Sequence, residues 1–304
     1  MAIDEDIARP MNSRFGALIT AMATPFDAEG AVDLAAAEQL ASWLAEHGSD
    51  GLVVTGSTGE ASTLTDDEKI ELWAAVKKAA GGKAKIIAGS GSNDTAHSVH
   101  LTKKAHELGL DGALVVTPYY NRPPQAGLIA HFSAIATASD IPLMLYDIPV
   151  RTARKIDHAT LLRLAEVDNI VAVKDACGDA QGAARLVAEA PPDFEVYCGN
   201  DADTLPWLSV GAVGVVSVAS HLVGPQMAQM VRLFWEGDAA AARKIHLDLM
   251  PVFDVLAMTT NPIPLKAALE MAGHRAGDPR LPLVPATETE KDKIRGVLSK
   301  AGVI

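Results

Sequence analysis

Lys174 closes the apolar run Ile170-Val171-Ala172-Val173. A short Ile/Val run of this type reads as a strand buried on both faces. A lysine at its end must pair with an acid, reach water, or lose its proton. The last outcome leaves a nucleophilic amine of the kind that forms imines, whereas an ion pair with Asp175 is the plainer reading. Three other apolar runs also end in polar groups: Gly56-Ser57-Thr58-Gly59-Glu60, Tyr119-Tyr120, and Tyr146. In the first, Gly56 and Gly59 let the backbone approach a ligand, and Ser57, Thr58 and neighbouring amides could form a small anion nest. An ordinary strand-to-helix turn is the alternative. The phenols of Tyr120 and Tyr146 can relay protons, or simply satisfy a buried hydrogen bond. Arg151 can hold a carboxylate through two hydrogen bonds if it faces the same opening; otherwise it is one more surface arginine. Taken singly, each has a bland explanation. Polar groups at four of the outlets are harder to explain as packing.

Other chemistries lack their motifs. The nine histidines include no H-x-H or H-E-x-x-H, and Asn200-Asp201-Ala202-Asp203 lacks the glycine and glutamate of a calcium loop. No metal site is expected. No P-loop is present, and Gly89-Ser-Gly91-Ser-Asn-Asp lacks the third glycine of a dinucleotide fingerprint. The expected chemistry is organic, with an amine, phenols and hydroxyls and no cofactor.

Something must bring these outlets together. Eight apolar runs begin at Gly16, Gly51, Lys85, Gly112, Pro142, Ile170, Val196 and Gly214, mostly about 25 to 35 residues apart, the size of a βαβ unit. Near-continuous apolar strands alternating with helical patterns imply parallel pairing. Eight units suggest closure into a (β/α)8 TIM barrel, where strand C-termini converge on one mouth; an open doubly wound sheet is the rival fold. One helix is legible in detail. Thr65 and Glu68 form a capping box, acids fill the first turn, Lys77 and Lys78 the last, and Gly81-Gly82 end it. Ile70, Trp73 and Val76 should face inward. Past the eighth run about 80 residues remain helical, more than a barrel needs. The expected division is a barrel over 1–223 and a C-terminal helical extension over 224–304, packed on it.

With 304 residues and 49% hydrophobic composition, the chain can bury one large core. A net charge of −12 with no basic cluster argues against nucleic acid and anionic membrane as partners. The first dozen residues are acidic with no apolar core, so no signal peptide is expected, and no run is long enough to span a membrane. Cys177 and Cys198, the only cysteines, are expected to be small buried residues in a reducing cytoplasm.

In order and spacing, "TPF", "GSTGE", "TPYYNRPPQAGLIAHF", "YDIPVRT", "VKDACGD", "GNDADTLPWLSVGAVGVVSV" and "NPIPLKAAL" resemble the class I pyruvate-dependent aldolase family, to which dihydrodipicolinate synthases and N-acetylneuraminate lyases belong. The resemblance covers nearly the whole chain. It places the imine-forming lysine at Lys174, the essential tyrosine at Tyr146, and a carboxylate-binding hydroxyl pair at Ser57 and Thr58, beside Gly59. It places a tyrosine lent across a dimer interface at Tyr120, and a main-chain contact to pyruvate at Val216. "YYNRP" and "IPVRT" resemble the synthase branch, whose handle for the carboxylate of L-aspartate 4-semialdehyde falls on Arg151. Ser57 departs from that branch, which usually has threonine there. The resemblance thus implies condensation of pyruvate with L-aspartate 4-semialdehyde in lysine biosynthesis, by a homo-oligomer, a dimer of dimers. A sialate or keto-deoxy-sugar lyase is one alternative, and a small-molecule sensor on the same barrel is another. Many synthases of the family bind lysine in an interface cleft. Here Asn93 survives, but His97 stands in place of glutamate, and Ala61, Asp66 and Lys69 also depart, so weak or absent lysine inhibition is expected.

Overall fold

A computed structural model describes residues 13–304; the acidic first dozen residues, read above as no signal peptide, lie outside them. Eight parallel strands close into a barrel in chain order: β1 (Leu18–Ala21), β2 (Gly51–Val54), β3 (Lys85–Gly89), β4 (Gly112–Val116), β5 (Leu143–Asp147), β6 (Ile170–Asp175), β7 (Glu195–Cys198) and β8 (Gly214–Ser217). Strand β8 pairs back onto β1, with Val215 opposite Leu18 and Val216 opposite Ile19. That closure settles the fold as the (β/α)8 barrel and removes the open sheet.

Alternation along each strand explains the continuous apolar runs. Ile19, Val53, Ile87, Leu114, Met144, Ala172 and Val216 fill the barrel, while Leu18, Leu52, Ile86, Val115, Leu145 and Val173 pack outward. Both faces are dry, so both sets are apolar.

The outer ring contains α1 (Leu34–Glu46), α2 (Asp66–Ala80), α3 (Thr95–Glu107), α4 (Gln125–Thr137), the short α5 (Pro149–Thr152), α6 (His158–Ala165), α7 (Ala180–Glu189) and α8 (Thr204–Ser209). Helix α2 carries the expected capping box between Thr65 and Glu68. Its buried face is Leu72, Trp73, Ala75 and Val76, whereas Ile70 is only half-buried. Glycine at 89 and 91 has a packing reason. A Cβ on Gly89 would lie 2.2 Å from the Thr55 carbonyl oxygen, and one on Gly91 2.3 Å from the Val116 nitrogen. Close backbone approach, not a dinucleotide, accounts for that glycine pair.

Four helices follow β8: α9 (Ser220–Trp235), α10 (Ala239–Leu256), α11 (Ile263–Met271) and α12 (Glu288–Lys300). Helix α9 runs across position 223/224 with non-helical dihedrals at Val223, just before Pro225. Residues 272–287 form no helix, contrary to a continuous helical tail; Gly273, Gly277, Pro279, Pro282 and Pro285 break it. Leu249, Phe253, Leu265, Ile294 and Leu298 belong to the same apolar cluster as the barrel's outer faces. The C-terminal helices therefore share the barrel's core. Cys198 is buried, but Cys177 is only half-buried. Among the described residues no helix is long and apolar enough to cross a membrane.

Candidate active site

Strand ends set the site. Lys174 on β6 stands directly opposite Tyr146 on β5, and its Nζ lies 4.3 Å from the centre of the phenol ring. Lys174 and Tyr146 are each 5% exposed. Burial pulls the Lys174 ammonium down to about 8; Asp201 and Cys198 oppose that shift and Arg151 adds to it. An amine with that pKa is substantially neutral near pH 8, as nucleophilic attack requires. Burial pushes the Tyr146 phenol up to about 12, against the charge of Arg151 and a hydrogen bond with the Ser57 side chain. The phenol therefore stays protonated and able to donate.

A cavity of about 660 Å³ opens above this pair, lined among others by Ser57, Thr58, Tyr146, Arg151, Lys174, Asp201 and Asn261. Thr58 is buried, while Ser57 is half-buried. Asn261 lies between α10 and α11. Its side-chain amide donates to the Thr58 hydroxyl at 2.8 Å, and its backbone carbonyl accepts from the Arg151 guanidinium at 3.1 Å. One residue thus links the hydroxyl pair to the arginine. Asp201 is held through Oδ2 by the amides of Val218 and Ala219 at 3.1 and 2.9 Å. Its other oxygen is buried without an aligned hydrogen bond. Burial raises this carboxyl's pKa, and Ser217, the two amides and Lys174 work against that rise.

Five of the expected residues, Lys174, Tyr146, Ser57, Thr58 and Arg151, therefore line one cavity. Three do not. Val216 is packed in the barrel interior. Gly59 turns its carbonyl toward the Thr24 hydroxyl at 2.7 Å. Tyr120 is 91% exposed, with a left-handed φ of 70°, and does not reach the cavity of its own chain. Asn261 was not singled out from sequence, and Asp201 was weighed only as part of a calcium loop and set aside. The one available signal was their place in the motifs "NPIPLK" and "GNDADT".

A second cavity of about 520 Å³ shares Ser57, Tyr146 and Arg151 and runs outward past Tyr119 to Ala61, Asp66, Lys69, Asn93 and His97. His97 Nε2 lies 2.8 and 3.0 Å from the two Asp66 oxygens, and Lys69 Nζ is 3.7 Å from Asp66. Burial pulls the Lys69 ammonium down, with Asp66 opposing. Among the described residues, no cluster of three or more His, Cys, Asp or Glu could hold a metal ion.

A closed parallel barrel with a neutralisable lysine, a protonated tyrosine and a hydroxyl pair at its C-terminal mouth has the constitution of a barrel aldolase. The chain belongs to the dihydrodipicolinate synthetase family, whose model matches residues 14–301. A 4-hydroxy-tetrahydrodipicolinate synthase from Moorella thermoacetica is 52% identical over 291 residues, covering 96% of this chain and 100% of that protein. The synthase of Thermosynechococcus vestitus is 53% identical, covering 95% and 98%. The crystal structure of the Cyanidioschyzon merolae enzyme with lysine bound superposes with a TM-score of 0.95 at 47% identity, covering 96% and 100%.

Proposed function

We propose that this chain is a 4-hydroxy-tetrahydrodipicolinate synthase that condenses pyruvate with L-aspartate 4-semialdehyde through an imine on Lys174. The observation that carries the reading is the buried amine of Lys174, lowered to about 8 and stacked on Tyr146, in one cavity with Ser57, Thr58 and Arg151.

The neutral amine attacks the ketone carbon of pyruvate, and loss of water gives the protonated imine. Ser57 and Thr58 hold the pyruvate carboxylate. The iminium draws electrons, so a methyl proton leaves and an enamine forms. Tyr146, a protonated phenol lining the same cavity as Ser57, relays protons. The enamine carbon attacks the aldehyde of the semialdehyde, whose carboxylate Arg151 holds. The new alkoxide takes a proton and becomes the hydroxyl group. The substrate's own amine then adds to the imine carbon and displaces Lys174, closing the ring. One water is released in all, and no step needs a redox partner.

Tyr120 completes the relay from a second copy of the chain, which makes the active form at least a dimer. Arg151 separates this reading from a sugar-acid lyase, because a polyhydroxylated aldehyde offers no carboxylate at that position. An aldehyde screen with pyruvate tests the choice. Aspartate semialdehyde should be consumed at least about a hundredfold more efficiently than N-acetylmannosamine, a gap of about 2.7 kcal/mol in transition-state binding. Equal or reversed preference would transfer the assignment to the lyase branch.

A further inference from the structure

A second buried lysine sits outside the chemistry just described. Lys266, on α11, is 2% exposed. Its Nζ lies 2.8 Å from Glu60 Oε1, an ion pair without hydrogen-bond alignment, and donates to the Asp278 carbonyl at 3.1 Å. It also stands 4.0 Å above the Phe26 ring, whose centre is 4.4 Å from the Arg280 guanidinium carbon. Burial pulls the Lys266 ammonium down, and Glu60 and Asp278 oppose that shift. The other Glu60 oxygen accepts the Arg280 amide at 2.9 Å. Glu60, 3% exposed, is thus fastened to α11 through one oxygen and to the 272–287 segment through the other.

Glu60 is also the last residue of the Gly56–Glu60 turn. The turn is bracketed by two non-glycine residues with left-handed backbone, Thr55 at φ 62° and Glu60 at φ 55°. Such conformations are unfavourable for L-residues, more so for β-branched threonine, and persist only where the surroundings over-determine them. Thr55 is fixed by the Trp73 indole and the Gly89 carbonyl through its hydroxyl. At the other end the fastening is Glu60, whose amide also donates to the Ser57 carbonyl at 3.2 Å.

We infer that the buried Glu60–Lys266 pair is a positioning device for pyruvate, holding the Ser57–Thr58 turn in the shape that receives the carboxylate by clamping it to α11. This rests on the reading that Ser57 and Thr58 bind pyruvate. The clamp touches no reacting atom, so its loss should weaken pyruvate binding and leave the handling of aspartate semialdehyde intact.

Glu60→Gln alone strands an ammonium in the interior and would risk the fold. The test is the double variant Glu60→Gln/Lys266→Met, which removes both charges, keeps an acceptor for the Arg280 amide and keeps an aliphatic chain over Phe26. Steady-state kinetics with both substrates, alongside thermal melting, should show KM for pyruvate raised about tenfold, with kcat and KM for aspartate semialdehyde within about twofold and Tm little changed. Thr58→Ala serves as the control for the underlying reading. An unchanged pyruvate KM in the double variant, with Thr58→Ala raising it, overturns the clamp alone. An unchanged pyruvate KM in Thr58→Ala overturns the assignment of the turn to pyruvate, and the clamp falls with it. Both KM values and kcat deteriorating together with Tm would show an ordinary scaffold contact and also overturn the inference.

Discussion

Arg151 is the side chain on which the choice of second substrate turns in the proposed reaction. It is exposed at the mouth, hydrogen-bonded to the Asn261 carbonyl, and lines both cavities. Its charge also helps hold the Lys174 ammonium down, though less than burial does. Arg151→Leu should therefore act at two points. Loss of a charge-assisted hydrogen-bond pair costs about 2 kcal/mol, roughly a thirtyfold rise in KM for aspartate semialdehyde. Imine formation with pyruvate should persist at alkaline pH with its acid limb moved upward, because removing a positive neighbour lets Lys174 keep its proton to higher pH. Pre-steady-state imine formation across pH, with KM measurements, checks both; an unaltered KM would make Arg151 a bystander. That Lys174, Tyr146, Ser57, Thr58 and Arg151 share one cavity was legible in the sequence because each stands at or just past the C-terminal end of an apolar strand, and strand ends in a barrel share one mouth. Asn261 was not. It meets Thr58 across 203 positions of chain, and no periodicity or spacing records which distant loops converge. Asp201 escaped for another reason: a single buried carboxylate looks in sequence like any turn residue.

At the scale of elements, helix starts decide what the outer cavity can bind. The capping box at Thr65 starts α2 one residue before Asp66, and Asp94 caps α3 shortly before His97. The Asp66–His97 contact ties the two helix starts together, with Lys69 at 3.7 Å from the same carboxylate. A carboxylate already engaged by two basic groups is a poor new partner for the ammonium of lysine, and His97 is not a carboxylate at all. Lysine should therefore bind here weakly, by about 2 kcal/mol or a thirtyfold loss relative to a cleft with a free carboxylate. Initial rates at saturating pyruvate over a lysine titration check this; clear inhibition at submillimolar lysine would contradict it. The Thr65/Glu68 capping box and the eight strands were readable because they depend on local hydrogen bonding and two-residue alternation. The break over 272–287 was missed, although its Gly and Pro residues signal it. What could not be read was that Arg280 of this segment reaches back to Glu68, Thr63 and Gly30, since such contacts depend on tertiary placement.

For the whole molecule, the proposed reaction needs a side chain that a single barrel does not bring to its own mouth. Tyr120, an aromatic side chain held outward on a left-handed backbone at 91% exposure, lines neither cavity of its own chain. In the proposed reaction a second copy receives it. Mixing two inactive proteins, Tyr120→Phe and Lys174→Ala, should restore turnover, because a mixed dimer contains one site with both groups intact. Activity of the re-equilibrated mixture, with subunit exchange verified by mass spectrometry, is the readout, and no recovery despite exchange would contradict a shared site. The eight βα units and the helical extension followed from the count and spacing of apolar runs, whereas closure itself showed only in the pairing of β8 with β1, because strand count alone fits an open sheet as well. That the extension's α11 and the 272–287 segment grip the Gly56–Glu60 turn did not, because Glu60 and Lys266 look like ordinary surface charges until the fold buries them together.

In the proposed reaction Lys174, and neither of the other buried lysines, Lys69 and Lys266, carries pyruvate. Borohydride reduction of the protein with pyruvate, followed by peptide mass mapping, addresses it directly. One reduced pyruvyl group on the peptide containing Lys174, with Lys174→Ala folded but unlabelled, is the result predicted. Labelling at Lys266, or no label at all, would rule out imine formation on Lys174.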